Sequence, residues 1–219
     1  MVSDLLLYDY WRSSASYRVR IALNLKGLDY EQRSIHLVRE GGEQRKSNYR
    51  GLNPQQLVPA LVHGDVVLTQ SLAIIEYLDE TWPQVGLLPI SSKDKAQIRT
   101  LAQIIACDLH PLNNLRVLQF ISTDLKVEED AKMHWYRHWV STGLTAFEAM
   151  LTKFGKAERF CHGRQPSVAD CCLIPQVYNA KRFDCDLDAY PLIQQIVKNC
   201  DQHPAFIQAT PEQQPDAVL

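Results

Sequence analysis

The sequence predicts an α/β amino-terminal domain joined to an all-α carboxy-terminal domain. In residues 1–82, apolar runs of strand length alternate with apolar residues at helical spacing, which is typical of the order βαβ-ββα. Residues 83–92 contain two prolines and one glycine and therefore predict a linker. Residues 93–219 show only helical periodicity, and a chain of 219 residues is long enough for two modest domains.

The first domain opens with a strand, a helix and a second strand. Gly27 predicts the end of that helix, and the short apolar runs on either side of His63-Gly64-Asp65 predict a hairpin. Ser71 begins a last helix, which ends before Pro83. The predicted elements span residues 5–8, 14–26, 30–37, 58–62, 66–68 and 71–82.

The second domain is predicted to contain two long helices and one capped helix. Apolar residues at positions 98, 101, 105, 109 and 112 predict a helix over 94–122, bent at Pro111. A similar pattern predicts a helix over 128–154. Ser167 and Asp170 have the spacing of a capping box at the start of a further helix. We expect residues 210–219 to be irregular.

Composition argues against several classes of function. The net charge of -2 and the absence of a long basic run predict no nucleic-acid partner. The start lacks the basic segment of a signal peptide and no apolar run reaches membrane length, so we expect a cytoplasmic protein without a membrane partner. The six cysteines include no C-x-x-C pair and are expected to be reduced. His134 and His138 lack an acidic companion, so we predict no metal site.

Two serines stand where the first strand gives way to the first helix. The hydroxyls of Ser13 and Ser14, together with the unpaired N–H groups of a helix start, favour a bound anion. For a thiol ligand, this environment stabilises the thiolate and lowers its pKa. The alternative is that these serines are only helix caps.

A second anion site is predicted after the hairpin. Val58-Pro59 stands in front of a predicted edge strand, where an X-Pro bond is a candidate for the cis form and the backbone can pair with a peptide ligand. Gln70-Ser71 opens the next helix and can bind a carboxylate. Alternatively, Pro59 is an ordinary turn proline and Ser71 an ordinary cap.

Together these motifs resemble the cytosolic glutathione transferases over essentially the whole chain. Residues 11–23, WRSSASYRVRIAL, are similar to the signature of the zeta class. Supporting matches are residues 53–59 (NPQQLVP), 70–78 (QSLAIIEYL) and 175–180 (PQVYNA). The resemblance implies a thioredoxin-like amino-terminal domain, an all-helical second domain and glutathione as the cofactor.

The resemblance also implies a role for individual residues. Ser13 faces the glutathione sulfur with Ser14 beside it, and Arg12 joins them in catalysis. Ala15 stands where the family usually has a cysteine, so glutathione must supply the sulfur. The implied glutathione contacts are Ser13, Ser14, Ala15, Gln44, Val58, Pro59, Gln70, Ser71, His110 and Asn114.

The implied reaction is the glutathione-dependent cis-trans isomerisation of maleylacetoacetate to fumarylacetoacetate, in phenylalanine and tyrosine catabolism, by reversible thiolate addition. Such a dicarboxylate substrate calls for guanidinium groups, which match carboxylates as planar forks. The candidates are Arg12, Arg116 and Arg182, each of which is alternatively a surface arginine with an ordinary ion pair.

Other functions stay open at this point. A maleylpyruvate isomerase would use the same thiolate and arginines on a shorter substrate. A general glutathione transferase would need a less polar pocket. A non-catalytic protein of this fold, serving in stress response or as an interaction module, would not need the two serines. The family commonly forms homodimers, which we expect here too.

Overall fold

The computed structural model describes residues 4–218, which form two compact units. The first unit contains the described residues up to Leu87 together with those from Asp201 onward, and the second contains Leu88–Cys200. The first boundary between the two units, after Leu87, therefore lies within the predicted linker, residues 83–92. The prediction placed the whole carboxy-terminal stretch in the helical domain, whereas the structure joins residues after Cys200 to the first unit.

A four-stranded mixed sheet with the order β2-β1-β3-β4 forms the centre of the first unit. Strand β1 pairs in parallel with β2 and antiparallel with β3, which pairs antiparallel with β4. Strand β3 is therefore an inner strand, and the prediction that Val58-Pro59 precedes an edge strand was wrong. The strands are β1 (Leu5–Asp9), β2 (Glu31–Ser34), β3 (Ala60–His63) and β4 (Val66–Thr69).

Two helices of the first unit begin and end close to their predicted positions. Helix α1 spans Ser14–Lys26 and ends at Gly27, whose φ of 64° is the left-handed conformation that glycine adopts without strain. Helix α3 spans Ser71–Thr81 and packs against α1. Leu7 of β1, Ile21 of α1 and Ile74 of α3 are fully buried and belong to the apolar core.

The stretch between β2 and β3 departs from the prediction. Strand β2 is shorter than the predicted 30–37. Ile35 N–H still donates to Asp9 O, but the His36 N–H donates to Glu43 Oε2 and not to β1. Two short 3₁₀ turns follow, at Arg39–Gly41 and Glu43–Arg45. Helix α2 (Ser47–Leu52) then lies between the predicted elements 30–37 and 58–62, where no helix was predicted.

The carboxy-terminal segment packs on the first unit. Helix α9 (Pro204–Ala209) lies against α1, and the 3₁₀ turn Pro211–Gln213 follows it. The predicted tail of residues 210–219 is thus partly helical, and its final residue lies outside the described residues. Ala205, Phe206 and Ala209 are buried, which explains why the segment associates with the sheet domain.

The second unit is helical throughout its regular structure. The predicted helix over 94–122 was wrong as a single element. The chain widens into a π-helical segment (Ile104–Leu109), tightens into a 3₁₀ turn (His110–Asn113) around Pro111, and becomes extended at Asn114. The α-helices are α4 (Ser92–Gln103), α5 (Leu115–Thr123), α6 (Glu129–Phe154), α7 (Val168–Arg182) and α8 (Pro191–Cys200).

The core of this unit lies along α6 and α7. The buried residues of α6 are Tyr136, Val140, Leu144, Phe147 and Leu151. The capping box at the start of α7 is present: Asp170 accepts from the Ser167 N–H and hydroxyl at 2.8 Å each, and also from Cys161 N–H. Burial raises the pKa of the Asp170 carboxyl, and these three donors oppose that shift. Within residues 4–218 we find no helix long and apolar enough to cross a membrane.

Candidate functional site

The sequence-predicted residues of the first unit lie at one end of its sheet. Tyr8 on β1 pairs with Ala60, the first residue of β3, and Ala60 pairs with Thr69, the last residue of β4. The end of β1, the start of β3 and the end of β4 therefore meet. The segments that leave this end carry Ser13, Val58-Pro59 and Gln70-Ser71, so the register alone brings three candidate motifs together.

Ser13 is the N-cap of α1. Its Oγ accepts a hydrogen bond from Ser16 N–H at 3.2 Å, and its backbone is extended. The capping interpretation is therefore correct, but it uses the hydroxyl only as an acceptor. The hydroxyl proton can still be donated to a ligand. Ser13 is half-buried, and the first turn of α1 carries no acidic residue to offset its positive end.

The neighbours of Ser13 differ in exposure. Ser14 is buried at the first position of α1, whereas Arg12 and Ala15 are half-buried. The Arg12 guanidinium lies 4.6 Å from the ring centroid of Trp11, close enough for a cation–π contact. Of the two serines, Ser13 has the hydroxyl that a ligand can reach more readily, and Arg12 adds positive charge beside it.

Ser71 begins α3 and is joined to α1 by a buried arginine. Arg18 Nη1 donates to Ser71 Oγ at 3.1 Å, and both residues are buried. The preceding Gln70 has φ 69° and ψ 113°, a backbone conformation that residues other than glycine rarely adopt. Strain of this kind is concentrated at functional sites. A helix start, a hydroxyl and a buried guanidinium therefore lie together here, and these are groups that favour a bound anion.

The Val58-Pro59 peptide bond is cis, as the sequence analysis suggested. The carbonyl of Leu57, just before it, accepts from Tyr49 Oη and Asn53 Nδ2 at 2.7 Å each. Burial raises the pKa of Tyr49, so its hydroxyl remains a neutral donor to that carbonyl. These bonds hold the segment at the sheet end.

Gln44 lies on the 3₁₀ turn Glu43–Arg45 and is buried. Its Nε2 donates to Leu37 O at 3.3 Å, while its Oε1 has no partner within the described residues. Buried amide oxygens are normally paired. The side chain thus has an unused acceptor, which a bound ligand or water could satisfy after a rotation of the amide.

The remaining predicted residues belong to the second unit. His110 opens the 3₁₀ turn, and its Nε2 lies 3.4 Å from Asn114 Nδ2. Asn114 is the N-cap of α5 and accepts from Arg116 N–H at 3.1 Å. Arg116 itself is exposed. The break in the predicted long helix therefore places His110, Asn114 and Arg116 in one cluster.

Arg182 lies at the end of α7, with its guanidinium 4.9 Å from the ring centroid of Phe183. Phe183 packs at 4.2 Å between centroids on Tyr136 of α6, and the Tyr136 carbonyl accepts from Asn113 Nδ2. Tyr136 thus connects the Arg182 end of α7 with the 3₁₀ turn that carries His110. Arg182 is exposed and able to meet a carboxylate.

Sequence reasoning missed Arg18 as a site residue. The helix α1 places two arginines, Arg18 and Arg20, among the apolar residues Tyr17, Val19 and Ile21. Charged residues are buried only where partners satisfy them. Two arginines within such a run were therefore a signal of buried polar contacts, although their partners could not be read from the sequence.

Comparison with known proteins supplies a family context for this geometry. The family described as "Glutathione S-transferase, N-terminal domain" matches residues 3–80. A Vibrio cholerae protein named "Probable maleylacetoacetate isomerase" is 52% identical, over 98% of this chain and 99% of its own length. The similarity therefore extends through both units.

Solved structures agree with the sequence comparison. A holo structure of maleyl pyruvate isomerase, described as a bacterial zeta-class glutathione S-transferase, has a TM-score of 0.94 and 46% identity, covering 97% of this chain and 100% of that one. A maleylacetoacetate isomerase from Methylobacterium extorquens AM1, with bound malonate and glutathione, has a TM-score of 0.93 and 40% identity, covering 98% and 100%.

Proposed function

This chain belongs to the glutathione transferase family, in its zeta class, and we propose that it is a glutathione-dependent cis-trans isomerase. Its proposed substrate is maleylacetoacetate, converted to fumarylacetoacetate. The observation that carries the proposal is the meeting of Ser13 with the Arg18–Ser71 pair at one end of the sheet. Ser13 offers a hydroxyl at a helix start, and the Arg18–Ser71 pair is proposed to bind an anion.

The residues of this sheet end fit glutathione. Its γ-glutamyl carboxylate suits the start of α3, where Ser71 and the buried Arg18 provide donors and positive charge. Its peptide backbone suits the main chain at Val58, whose segment is held in place before β3. Gln44 and Gln70 supply further amides. We propose that His110 and Asn114 add contacts from the second unit.

Bound glutathione supplies the nucleophilic thiol for reversible addition to the conjugated double bond. The role we propose for Ser13 is to donate its hydroxyl proton to that sulfur, while the positive end of α1 favours the charged form. Both effects lower the pKa of the bound thiol. Ser14 is buried and supports the same helix start, and Ala15 leaves the protein without a competing thiol at this position.

Three arginines are proposed to hold the dicarboxylate. Arg12 adjoins Ser13, so its charge stabilises negative charge that develops near the sulfur. Arg116 and Arg182 are exposed on the second unit and suit the distal carboxylate. The malonate bound to the Methylobacterium extorquens relative supports a dicarboxylate ligand for this family.

An isomerisation assay tests the proposal. Maleylacetoacetate and maleylpyruvate are compared at equal concentrations, with and without glutathione, and turnover is followed by absorbance. We expect turnover that depends on glutathione and is faster with maleylacetoacetate. Faster turnover of maleylpyruvate would establish the second candidate, which the similarity to maleyl pyruvate isomerase favours. Unchanged turnover without glutathione would contradict the coenzyme role.

The same assay separates the arginines. Arg182→Met is expected to raise KM about tenfold with little change in kcat if Arg182 binds the distal carboxylate equally in ground and transition states, which corresponds to ~1.4 kcal/mol of binding. Arg12→Met is expected to lower kcat, because Arg12 lies beside the reacting sulfur. A fall in kcat with Arg182→Met and none with Arg12→Met would reverse these assignments.

We also propose a cytoplasmic homodimer. The six cysteines are free thiols, which suits a reducing compartment. Sedimentation velocity tests the dimer directly, and fractionation of cells that express the protein tests its location. A monomer at micromolar concentration, or recovery with the membrane or secreted fraction, would contradict this proposal.

A further inference from the structure

The carboxy-terminal segment bonds the Trp11 N–H directly and reaches the Trp11 carbonyl through Arg20. The Trp11 N–H donates to Asp216 Oδ2 at 3.2 Å. The Trp11 carbonyl accepts from Arg20 Nη2 at 2.9 Å, and Arg20 Nε donates to Ala209 O at 3.0 Å. Trp11 is therefore bonded to residue 216 directly and to residue 209 through a fully buried arginine.

Further contacts join the same segment to the sheet. Asp216 Oδ2 also accepts from the Ser34 hydroxyl at 2.7 Å, at the end of β2. Gln214 Oε1 accepts from Gln32 Nε2 at 2.9 Å. Ala217 packs against the apolar cluster that contains Trp11 and Val58. We call residues 209–217 the C-terminal brace.

The brace acts on the part of the chain that leads into the candidate site. Trp11 is 6% exposed, and its ring lies beneath the Arg12 guanidinium. Ser13 follows two residues later, and its N–H donates to Tyr10 O at 2.9 Å, so a tight turn connects Trp11 to the start of α1. A shift of the Trp11 backbone is therefore passed directly to Arg12 and Ser13.

We propose that Asp216 is a positioning residue, which sets the placement of Ser13 by fixing Trp11. The carboxylate makes charge-assisted bonds to two separate segments, the Trp11 turn and the end of β2, and these are stronger than neutral ones. Small displacements of a catalytic group reduce rates strongly. The inference rests on the proposed role of Ser13 at the glutathione sulfur.

The test compares Asp216→Ala with Asp216→Asn. Alanine removes the acceptor. The side-chain oxygen of asparagine can still accept from Trp11 N–H and from the Ser34 hydroxyl. We expect Asp216→Ala to lower kcat about three- to tenfold and to raise the pKa of enzyme-bound glutathione by about half a unit, by loosening the position of Ser13. In Asp216→Asn we expect kcat and the thiol pKa to lie close to their wild-type values.

One control separates positioning from general stability. Asp201→Ala changes an exposed aspartate of the first unit that lies outside the brace. It is expected to leave the thiol pKa within experimental error. The thiol pKa is read from thiolate absorbance with no substrate present, so the result does not depend on which substrate is isomerised.

An unchanged thiol pKa and kcat in Asp216→Ala, or an equal change in Asp201→Ala, would overturn the proposal. If Asp216→Ala does not fold, Asp216→Glu gives the same comparison, because it keeps the charge and displaces the carboxylate by one methylene. For Asp216→Glu we expect the thiol pKa to rise by less than the half unit expected for Asp216→Ala. An unchanged thiol pKa would refute the positioning role of Asp216. Failure of the wild type to isomerise either substrate would reject the proposed function while leaving this measurement valid.

Discussion

The Ser13 hydroxyl caps helix α1 and still has a proton that it can donate to a ligand. A serine hydroxyl has one proton to donate and two lone pairs with which to accept. The cap of α1 takes one lone pair, through Ser16 N–H. The cap fixes the position of the oxygen, and the proton stays available for a sulfur. The two interpretations of this serine in the sequence were therefore not exclusive.

Replacing Ser13 by alanine separates its two roles. We expect the pKa of bound glutathione to rise by about one unit, equivalent to ~1.4 kcal/mol, and kcat to fall at least tenfold. Loss of the cap alone should cost about 1 kcal/mol of unfolding free energy. Thiolate absorbance and urea unfolding measure the two effects.

Ser91→Ala is the matched control for this experiment. Ser91 is also an N-cap, which accepts from Asp94 N–H at the start of α4. Its replacement should reduce stability by a similar amount without changing the thiol pKa. A Ser13→Ala protein that matches this control in both measurements would show that Ser13 is only a cap.

At the scale of elements, the break between α4 and α5 shapes the second group of candidate residues. The π segment Ile104–Leu109 is wider than an α-helix, and the 3₁₀ turn after it is narrower. This change in width turns the chain at His110 and lets Asn114 cap α5. Periodicity predicted one bent helix because apolar residues continue at helical spacing through the π segment and the 3₁₀ turn.

Gly143 on α6 permits the π segment to pack closely. A Cβ at this position would overlap Leu109 Cδ1 and lie 2.8 Å from Leu109 Cγ. We therefore expect Gly143→Ala to lower the free energy of unfolding by about 1–3 kcal/mol. It should also raise KM for glutathione, since Leu109 directly precedes His110, a proposed glutathione contact. Thermal unfolding and steady-state kinetics measure both.

Gly51→Ala tests whether this effect is specific. Gly51 lies in α2, and a Cβ there would meet nothing within 4 Å. Because alanine favours a helix over glycine, this change should be neutral or stabilise the protein by up to about 1 kcal/mol. A Gly143→Ala protein that behaves in the same way would contradict the packing argument.

At the scale of the whole molecule, one buried ion pair connects distant parts of the first unit. Arg20 Nη1 lies 2.9 Å from both carboxylate oxygens of Asp9, and Gln32 Nε2 donates to the same carboxylate. Arg20 also bonds Trp11 O and Ala209 O. Strand β1, helix α1 and the C-terminal brace are thus held by a single guanidinium.

Removing that guanidinium should destabilise the protein strongly. Arg20→Met leaves Asp9 buried without its cation, so we expect a loss of about 3–5 kcal/mol of unfolding free energy. Arg33→Met is the comparison, because Arg33 pairs with Glu31 at 3.6 Å where both side chains are more than half exposed. Such a pair contributes about 0–1 kcal/mol. Equal losses in urea unfolding would show that the buried pair is not central.

The sequence was sufficient for the elements whose signals are local. Helix α1 begins and ends as predicted because Ser13 and Gly27 act on their own neighbours. The capping box of Ser167 and Asp170 is equally local. The motif that identified the family was a continuous segment, residues 11–23, and its match could be judged without coordinates.

The contacts between separate segments became evident only in the folded chain. The partnership of Arg18 with Ser71 spans 53 positions, and that of Trp11 with Asp216 spans 205. The residue pattern of one segment does not predict such a pair. Each of these bonds depends on strand register and on which distant segment packs beside it. Local motifs were enough to predict the family and the proposed role of Ser13, whereas the distant charge that contacts the segment before Ser13, Asp216, became evident only in the folded chain.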